Sequence, residues 1–242
     1  MNVLAIGNSF SEDATRYLRG IARADGETLN VVNLYIGGCS LEKHFRNMHS
    51  EAKAYELQYN GEKTGFFVSI KDALLNRRWD VVTLQQASPV SFDKDSYFPY
   101  INELAEYVRR YSPKAKIYIH QTWAYEDGSE RLAKLGRFER AADMRSAVIS
   151  AYDNAAEKIT ADGLIPSGKL LGELLENGIE KVHRDTYHAS RGIGRYAIAL
   201  LWYSVLTGNV VAENTFSDFD EEVSEGEIAT AKKCVDELVG RI

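Results

Sequence analysis

A serine, an aspartate and a histidine occur in this chain in an order and a setting that suit ester cleavage. Ser9 lies in Gly7-Asn8-Ser9-Phe10-Ser11, directly after the apolar run Val3–Ile6. Asp185 and His188 lie in Arg184-Asp185-Thr186-Tyr187-His188, ahead of a long apolar stretch. A serine hydroxyl becomes a nucleophile only beside a base. A carboxylate three residues before a histidine, in a loop entering a helix, can reach Nδ1 of the ring. That contact fixes the tautomer and leaves Nε2 free for a serine. Plainer readings stand beside these on the residues alone. Ser9 or Ser11 caps the first helix, Asp185 or Ser190 only starts the later one, or Gly7-Asn8-Ser9 cradles a phosphate. The stretch is not the Gly-x-Ser-x-Gly elbow, because Ser11 stands where that motif has its second glycine. His183, Asp185 and His188 are also metal-ligand types. No fourth ligand is close in sequence, so neither a metal nor an organic cofactor is expected.

The elements that must carry these residues follow from periodicity. Short apolar runs at Asn2–Ile6, Leu29–Tyr35, Trp79–Leu84, Lys116–His120 and Gly163–Ile165 read as strands. Helical spacing fills the intervals: a helix capped by Asp13 and running to Ala24, then Glu42–Glu51, Asp72–Asn76 and Tyr97–Tyr111. A long helix from Arg131 to Thr160, and helices over Lys169–Leu175, Ser190–Thr207 and Glu221–Val239, complete the set. Strands alternating with helices predict an α/β fold, a three-layer α/β/α sandwich around a parallel sheet. Ligands bind beyond the carboxyl ends of such strands, which is where Ser9 falls. Residues 52–70 depart from the pattern. Asn60-Gly61 between alternating aromatic and polar residues signals a hairpin, read as an insertion packed on the main sheet.

Composition narrows the classes. The chain has 242 residues, 45% hydrophobic and 26% charged, which suits one domain covering 1–242. A net charge of -6, with Arg77-Arg78 and Arg109-Arg110 as isolated pairs, argues against nucleic acid as a partner. Two cysteines, Cys39 and Cys234, build no disulfide framework, and the expected compartment is the reducing cytoplasm. No apolar run is long enough for a membrane span, and no leader peptide is visible, although a chain trimmed of its leader reads the same way.

Taken together, the "GNSFS" block and the "DTYH" block resemble the SGNH (GDSL-type) hydrolase superfamily. Gly7-Asn8-Ser9-Phe10-Ser11 stands where that family has Gly-Asp-Ser-Leu-Ser. "LQQAS" and "QTWAY" are similar to a branch of it known as a domain of unknown function. The resemblance implies a flavodoxin-like sheet and an esterase with Ser9, Asp185 and His188 as its catalytic residues. It also implies an oxyanion hole formed by the Ser9 N–H, the Gly38 N–H of "YIGGCS" and a third donor. The family's third donor is an asparagine. This chain has Gln85-Gln86 there, so Gln86 is the expected donor, with Gln85 second. Without the resemblance, Gly37-Gly38 is just a turn and either glutamine can simply bond a neighbouring loop.

Trp123 and Tyr125, in the loop after the fourth strand, are expected to overhang the same face and bind substrate together with Gln85. Fourteen tyrosines lean towards a polar-rimmed pocket. The expected partner is a short-chain ester, such as an O-acetyl group on a carbohydrate. Alternatives are a lipase- or thioesterase-like acyl hydrolase, and an inactive carbohydrate- or ligand-binding domain on the same fold. A phosphate-binding protein is a weaker rival, because neither GxxxxGK[ST] nor GxGxxG is present.

Overall fold

Period-two alternation in the first strand, β1 (Asn2–Gly7), sets the layering. Val3 and Ala5 enter the apolar core on one face of the sheet; Leu4 and Ile6 enter the core on the other. The computed structural model describes residues 1–242. After β1 come α1 (Ser9–Thr15), α2 (Leu18–Ala24), β2 (Asn30–Tyr35), α3 (Leu41–Ser50) and the hairpin β3 (Tyr55–Tyr59) and β4 (Glu62–Val68). There follow α4 (Ile70–Asn76), β5 (Val81–Leu84), α5 (Tyr100–Tyr111), β6 (Lys116–His120), α6 (Glu130–Ala133) and α7 (Ala141–Lys158). The chain ends with β7 (Gly163–Ile165), α8 (Ser167–Glu176), α9 (Ile193–Thr207) and α10 (Glu225–Val239).

The sheet has seven strands in the order β4-β3-β2-β1-β5-β6-β7. Strands β2, β1, β5, β6 and β7 are parallel, the flavodoxin-like order with β1 at its centre. Helices α1, α2, α8, α9 and α10 cover the Val3 face, and α3, α4, α5 and α7 cover the Leu4 face. Helix α9 is enclosed by α1, α2, α8 and α10, which explains its nearly continuous apolar sequence. No helix is long and apolar enough to cross a membrane.

Three details depart from the sequence reading. The hairpin extends the sheet instead of packing on it: β3 pairs antiparallel with β2, from Val32↔Tyr59 to Tyr35↔Glu56. Asn60 and Gly61 turn it with φ of 53° and 85°, as the two-residue Asn-Gly connection requires. The helix expected over 131–160 is two helices, because Gly136 adopts a φ of 62° between them and closes the first. The first helix starts at Ser9, not after Asp13. Asn8 is its N-cap, with Oδ1 accepting from the Phe10 N–H at 3.0 Å.

Gly61 meets two constraints at once: its positive φ, and the Arg16 carbonyl oxygen 2.4 Å from where a Cβ would stand. Gly61→Ala is expected to destabilise the protein by more than about 1 kcal/mol, read as a lower urea midpoint at unchanged slope.

Candidate active site

β1 delivers Asn8 and Ser9 to the carboxyl edge of the sheet. Gly7 makes the approach possible: a Cβ there would lie 2.3 Å from Ser11 Oγ and 2.9 Å from Gln85 Cδ. Ser11 is buried and donates to Asn33 Oδ1 at 2.7 Å, so it locks α1 to β2 rather than capping it.

Ser9 Oγ lies 2.8 Å from His188 Nε2, and His188 Nδ1 lies 2.7 Å from Asp185 Oδ2. Asp185 Oδ1 also accepts the His188 backbone N–H at 2.9 Å. Desolvation works against the Asp185 charge, but the hydrogen bonds from His188 hold its carboxyl below the ordinary range. The loop is closed by an antiparallel bridge, His183↔Ala189, and by Arg184 N–H donating to the His188 carbonyl at 3.0 Å. Tyr187 lays its ring 3.9 Å from the imidazole.

The loop is fastened to the serine's own helix. Asp13, one turn after Ser9 on α1, is wholly buried. It accepts from Arg184 Nη1 at 2.9 and 3.0 Å and from Arg195 Nε at 2.8 Å. Arg184 also donates to the Ala189 carbonyl. Arg195 continues through Asp220 to Arg16 and Glu62 of the hairpin. The sequence reading gave Asp13 a capping role; its position inside the helix gives it this one. The signal was available in Arg184, the residue preceding Asp185.

The two expected backbone donors are free. Ser9 is the first residue of α1, so its N–H has no partner within the helix. The Gly38 N–H makes no backbone hydrogen bond, in a turn where φ is 61°. The glutamines are a correction. Gln86 Oε1 accepts from Leu41 N–H and Ala87 N–H, each at 2.9 Å. Its Nε2 donates to the Ser96 carbonyl at 2.9 Å and to Ser96 Oγ at 3.1 Å, so both hydrogens are committed. Gln86 therefore ties the connection between β5 and α5 to itself and to the start of α3, and does not face a substrate oxygen. Gln85 is also buried, with Nε2 on Asn8 Oδ1 and Oε1 on His120 Nδ1, both at 2.7 Å.

Trp123 and Tyr125 do not overhang the serine. Both are buried, because the loop after β6 folds back into the core. Trp123 packs 4.2 Å from the Phe10 ring and donates to the Tyr187 carbonyl at 2.7 Å. The Tyr125 hydroxyl meets Ser88 Oγ at 3.1 Å. Both rings border a separate, largely apolar cavity of about 280 Å³ between α7 and α8. A wider cavity of about 620 Å³ opens beside α1, lined by Glu12, Arg16, Lys63, Arg184, Arg191 and other residues, none hydrophobic. His183 Nε2 is taken by the Ala124 carbonyl at 3.0 Å.

The family model described as "Domain of unknown function (DUF4886)" matches residues 2–236. The chain belongs to the DUF4886 family. A DUF4886 family protein from Bacteroides uniformis, known from its crystal structure, is 34% identical, covers 99% of this chain and 94% of its own, and superposes with a TM-score of 0.92. More distant likenesses share the fold at low identity. A GDSL-like lipase from Bacteroides thetaiotaomicron is 12% identical over 86% of this chain and 88% of its own, with a TM-score of 0.52. The psychrotrophic esterase EstA from Pseudoalteromonas sp. is 12% identical over 86% of this chain and 97% of its own, with a TM-score of 0.54. No curated protein matches this DUF4886 chain. Its fold is thus that of the GDSL/SGNH-type hydrolases.

Buried histidines give the family member a pH-dependent stability. Burial pushes both His44 and His120 down to about 3, and lowers His183. Each folded-state value lies below the unfolded one, so the unfolded chain binds the proton first as pH falls. Stability is full above about pH 6.5 and declines below it by about 1.4 kcal/mol per pH unit for each of His44 and His120, with His183 acting in the same direction. Urea midpoints measured from pH 7.5 to 5 check the slope, and His44→Gln is expected to flatten it.

Proposed function

We propose that this DUF4886 protein is a serine esterase acting on short-chain esters, such as O-acetyl groups on a carbohydrate. The observation that carries the reading is the continuous hydrogen-bonded chain from Ser9 Oγ through His188 to Asp185. In this mechanism Ser9 Oγ attacks the ester carbonyl while His188 Nε2 takes its proton. Asp185 orients the ring and stabilises the imidazolium. The carbonyl oxygen becomes an oxyanion and accepts from the Ser9 and Gly38 N–H groups. His188 returns the proton to the leaving alcohol, and water, deprotonated by the same histidine, hydrolyses the acyl-enzyme and regenerates Ser9.

The substrate class rests on the walls rather than on the aromatic residues first expected to form it. The polar cavity beside α1 is not lined by Ser9 or His188 themselves but by Glu12 and Arg184 of the elements that carry them, and it suits a hydroxylated, hydrated leaving group better than an acyl chain. The apolar cavity behind Trp123 favours a second reading, in which a longer acyl chain is held there.

Hydrolysis of p-nitrophenyl acetate, butyrate and octanoate by the wild type and by Ser9→Ala tests both levels. The expected result is wild-type turnover with kcat/KM highest on acetate, and a loss of more than about 10³-fold in Ser9→Ala. Full activity in Ser9→Ala removes the serine from the mechanism. A preference for octanoate replaces the carbohydrate ester with the acyl-chain reading.

A further inference from the structure

A buried ladder of polar side chains runs along the carboxyl ends of β6, β5 and β1 to the backbone just after Ser9 and just after Gly38, and its polarity is fully determined. At the front, Asn8 Oδ1 accepts from the Phe10 N–H at 3.0 Å, and Asn8 Nδ2 donates to the Cys39 carbonyl at 3.0 Å. Behind it, Gln85 Nε2 donates to Asn8 Oδ1 at 2.7 Å, and Gln85 Oε1 meets His120 Nδ1 at 2.7 Å. Ser167 Oγ closes the ladder 3.2 Å from His120 Nε2. All four side chains are buried, with exposures of 0 to 1%.

One backbone donor and one backbone acceptor dictate every orientation. The Phe10 N–H can only donate, so it must face the oxygen of the Asn8 carboxamide. The Cys39 carbonyl can only accept, so it must face the NH2. Asn8 Oδ1 then requires the NH2 of Gln85, which turns the Gln85 oxygen towards His120. His120 must carry its hydrogen on Nδ1, and its Nε2 accepts from the Ser167 hydroxyl. Burial keeps that ring neutral, so the order does not reverse through protonation near neutral pH.

We propose that Asn8 is a positioning residue that sets the separation of the two oxyanion donors, and that Gln85 and His120 hold its carboxamide the right way round. The proposal rests on the reading of Ser9 as nucleophile. The donors sit on different strand ends: the Ser9 N–H follows β1, and the Gly38 N–H follows β2. The Asn8 carboxamide is the tie between them. Its oxygen holds the first turn of α1, next to the Ser9 peptide; its NH2 holds the Cys39 carbonyl, next to the Gly38 peptide. Gln85 thus stands one layer behind the oxyanion instead of touching it. That explains why this sequence carries a glutamine, with its longer stem, where the resembled family carries a donor asparagine.

Asn8→Asp separates positioning from mere core filling. The carboxylate, which the resembled family carries at this position, keeps the size and the acceptor for Phe10 and Gln85, but as an anion it cannot donate to the Cys39 carbonyl that this chain places there. With p-nitrophenyl acetate, kcat per folded molecule is expected to fall about 10²-fold with KM little changed, since a small misplacement at the reacting centre has that effect. The inhibition constant of a trifluoromethyl ketone, which mimics the tetrahedral oxyanion, should rise by the same factor. Gln85→Glu should move both quantities in the same direction. A purely structural role would lower the folded fraction, read by near-ultraviolet circular dichroism, without changing kcat per folded molecule. That result, or unchanged inhibition by the ketone, overturns the proposal. An independent test needs no variant: ¹⁵N spectra of the wild type should show the His120 ring as the Nδ1–H tautomer, and the Nε2–H tautomer overturns the ladder. Absence of turnover and of fluorophosphonate labelling at Ser9 in the wild type overturns the esterase reading and this proposal together. Turnover in the wild type with unaltered variants overturns this proposal alone.

Discussion

The buried carboxylate of Asp13 is the interaction on which the site geometry depends. Ser9 and His188 are 179 residues apart in the chain, yet Ser9 Oγ and His188 Nε2 lie 2.8 Å apart. Nothing in the sheet alone sets that distance, because the histidine sits on a loop outside every strand and helix. Asp13 ties that loop to α1, by receiving Arg184 from the histidine's loop and Arg195 from α9 on the helix that starts with Ser9, while Trp123 and Ala124 hold the loop from the other side. Burying a carboxylate and two guanidinium groups carries a heavy desolvation penalty, and well-packed apolar residues often do as well for stability. What apolar residues lack is direction. Three hydrogen bonds fix the loop's position along and around α1, which the Ser9–His188 contact needs and a greasy contact would leave loose.

A second constraint acts from beneath the sheet. Polar side chains at the ends of β1, β5 and β6 could have been left to water, but Asn8, Gln85 and His120 are enclosed and pair with one another. A buried polar network is favourable only when its members are satisfied, and then it permits few alternatives. The clamp fixes the Asp185–His188 loop relative to the helix that starts with Ser9, while the ladder fixes the two turns that carry free N–H groups. The two systems meet at α1, so α1 is the common reference for Ser9, His188 and the two free N–H groups.

The sequence exposed the elements and hid the side-chain commitments. The strands were legible because Val3–Ile6, Val31–Leu34 and Val81–Leu84 are apolar on both faces, the mark of a covered parallel sheet, whereas their order followed only from the resemblance. Asn60-Gly61 declared the hairpin, but not which edge it would join; that choice depends on β2 having an unpaired side. The break at Gly136 was missed because one glycine within helical spacing is compatible with a continuous helix. Ser9, Asp185 and His188 were singled out together only through the resemblance, because on the residues alone each block also reads as a helix cap. The commitment of Gln86 was not legible, because the partners that occupy it come from residues 41, 87 and 96. Trp123 and Tyr125 failed for the same reason. A loop at the right end of a strand can still turn inward, and Trp123 found Phe10 and the Tyr187 carbonyl there.

That inward turn has a functional counterpart. With Trp123 supporting Phe10 and Tyr187 from behind, the aromatic residues form a backing for the histidine rather than a platform for a ligand. Arg131 stacks 3.6 Å from the Tyr187 ring and completes that backing from the outer side. The space beside α1 is correspondingly left to charged and polar groups, several brought by the hairpin. Glu62 and Lys63 of β4 reach Arg16, at the end of α1, and Glu12 within it, so the added strands form one wall of the polar cavity. An extension that only lengthened the sheet would not need those contacts. By pairing with β2, the hairpin gains a fixed register, and through it the cavity gains a wall of defined charge next to the helix that presents Ser9.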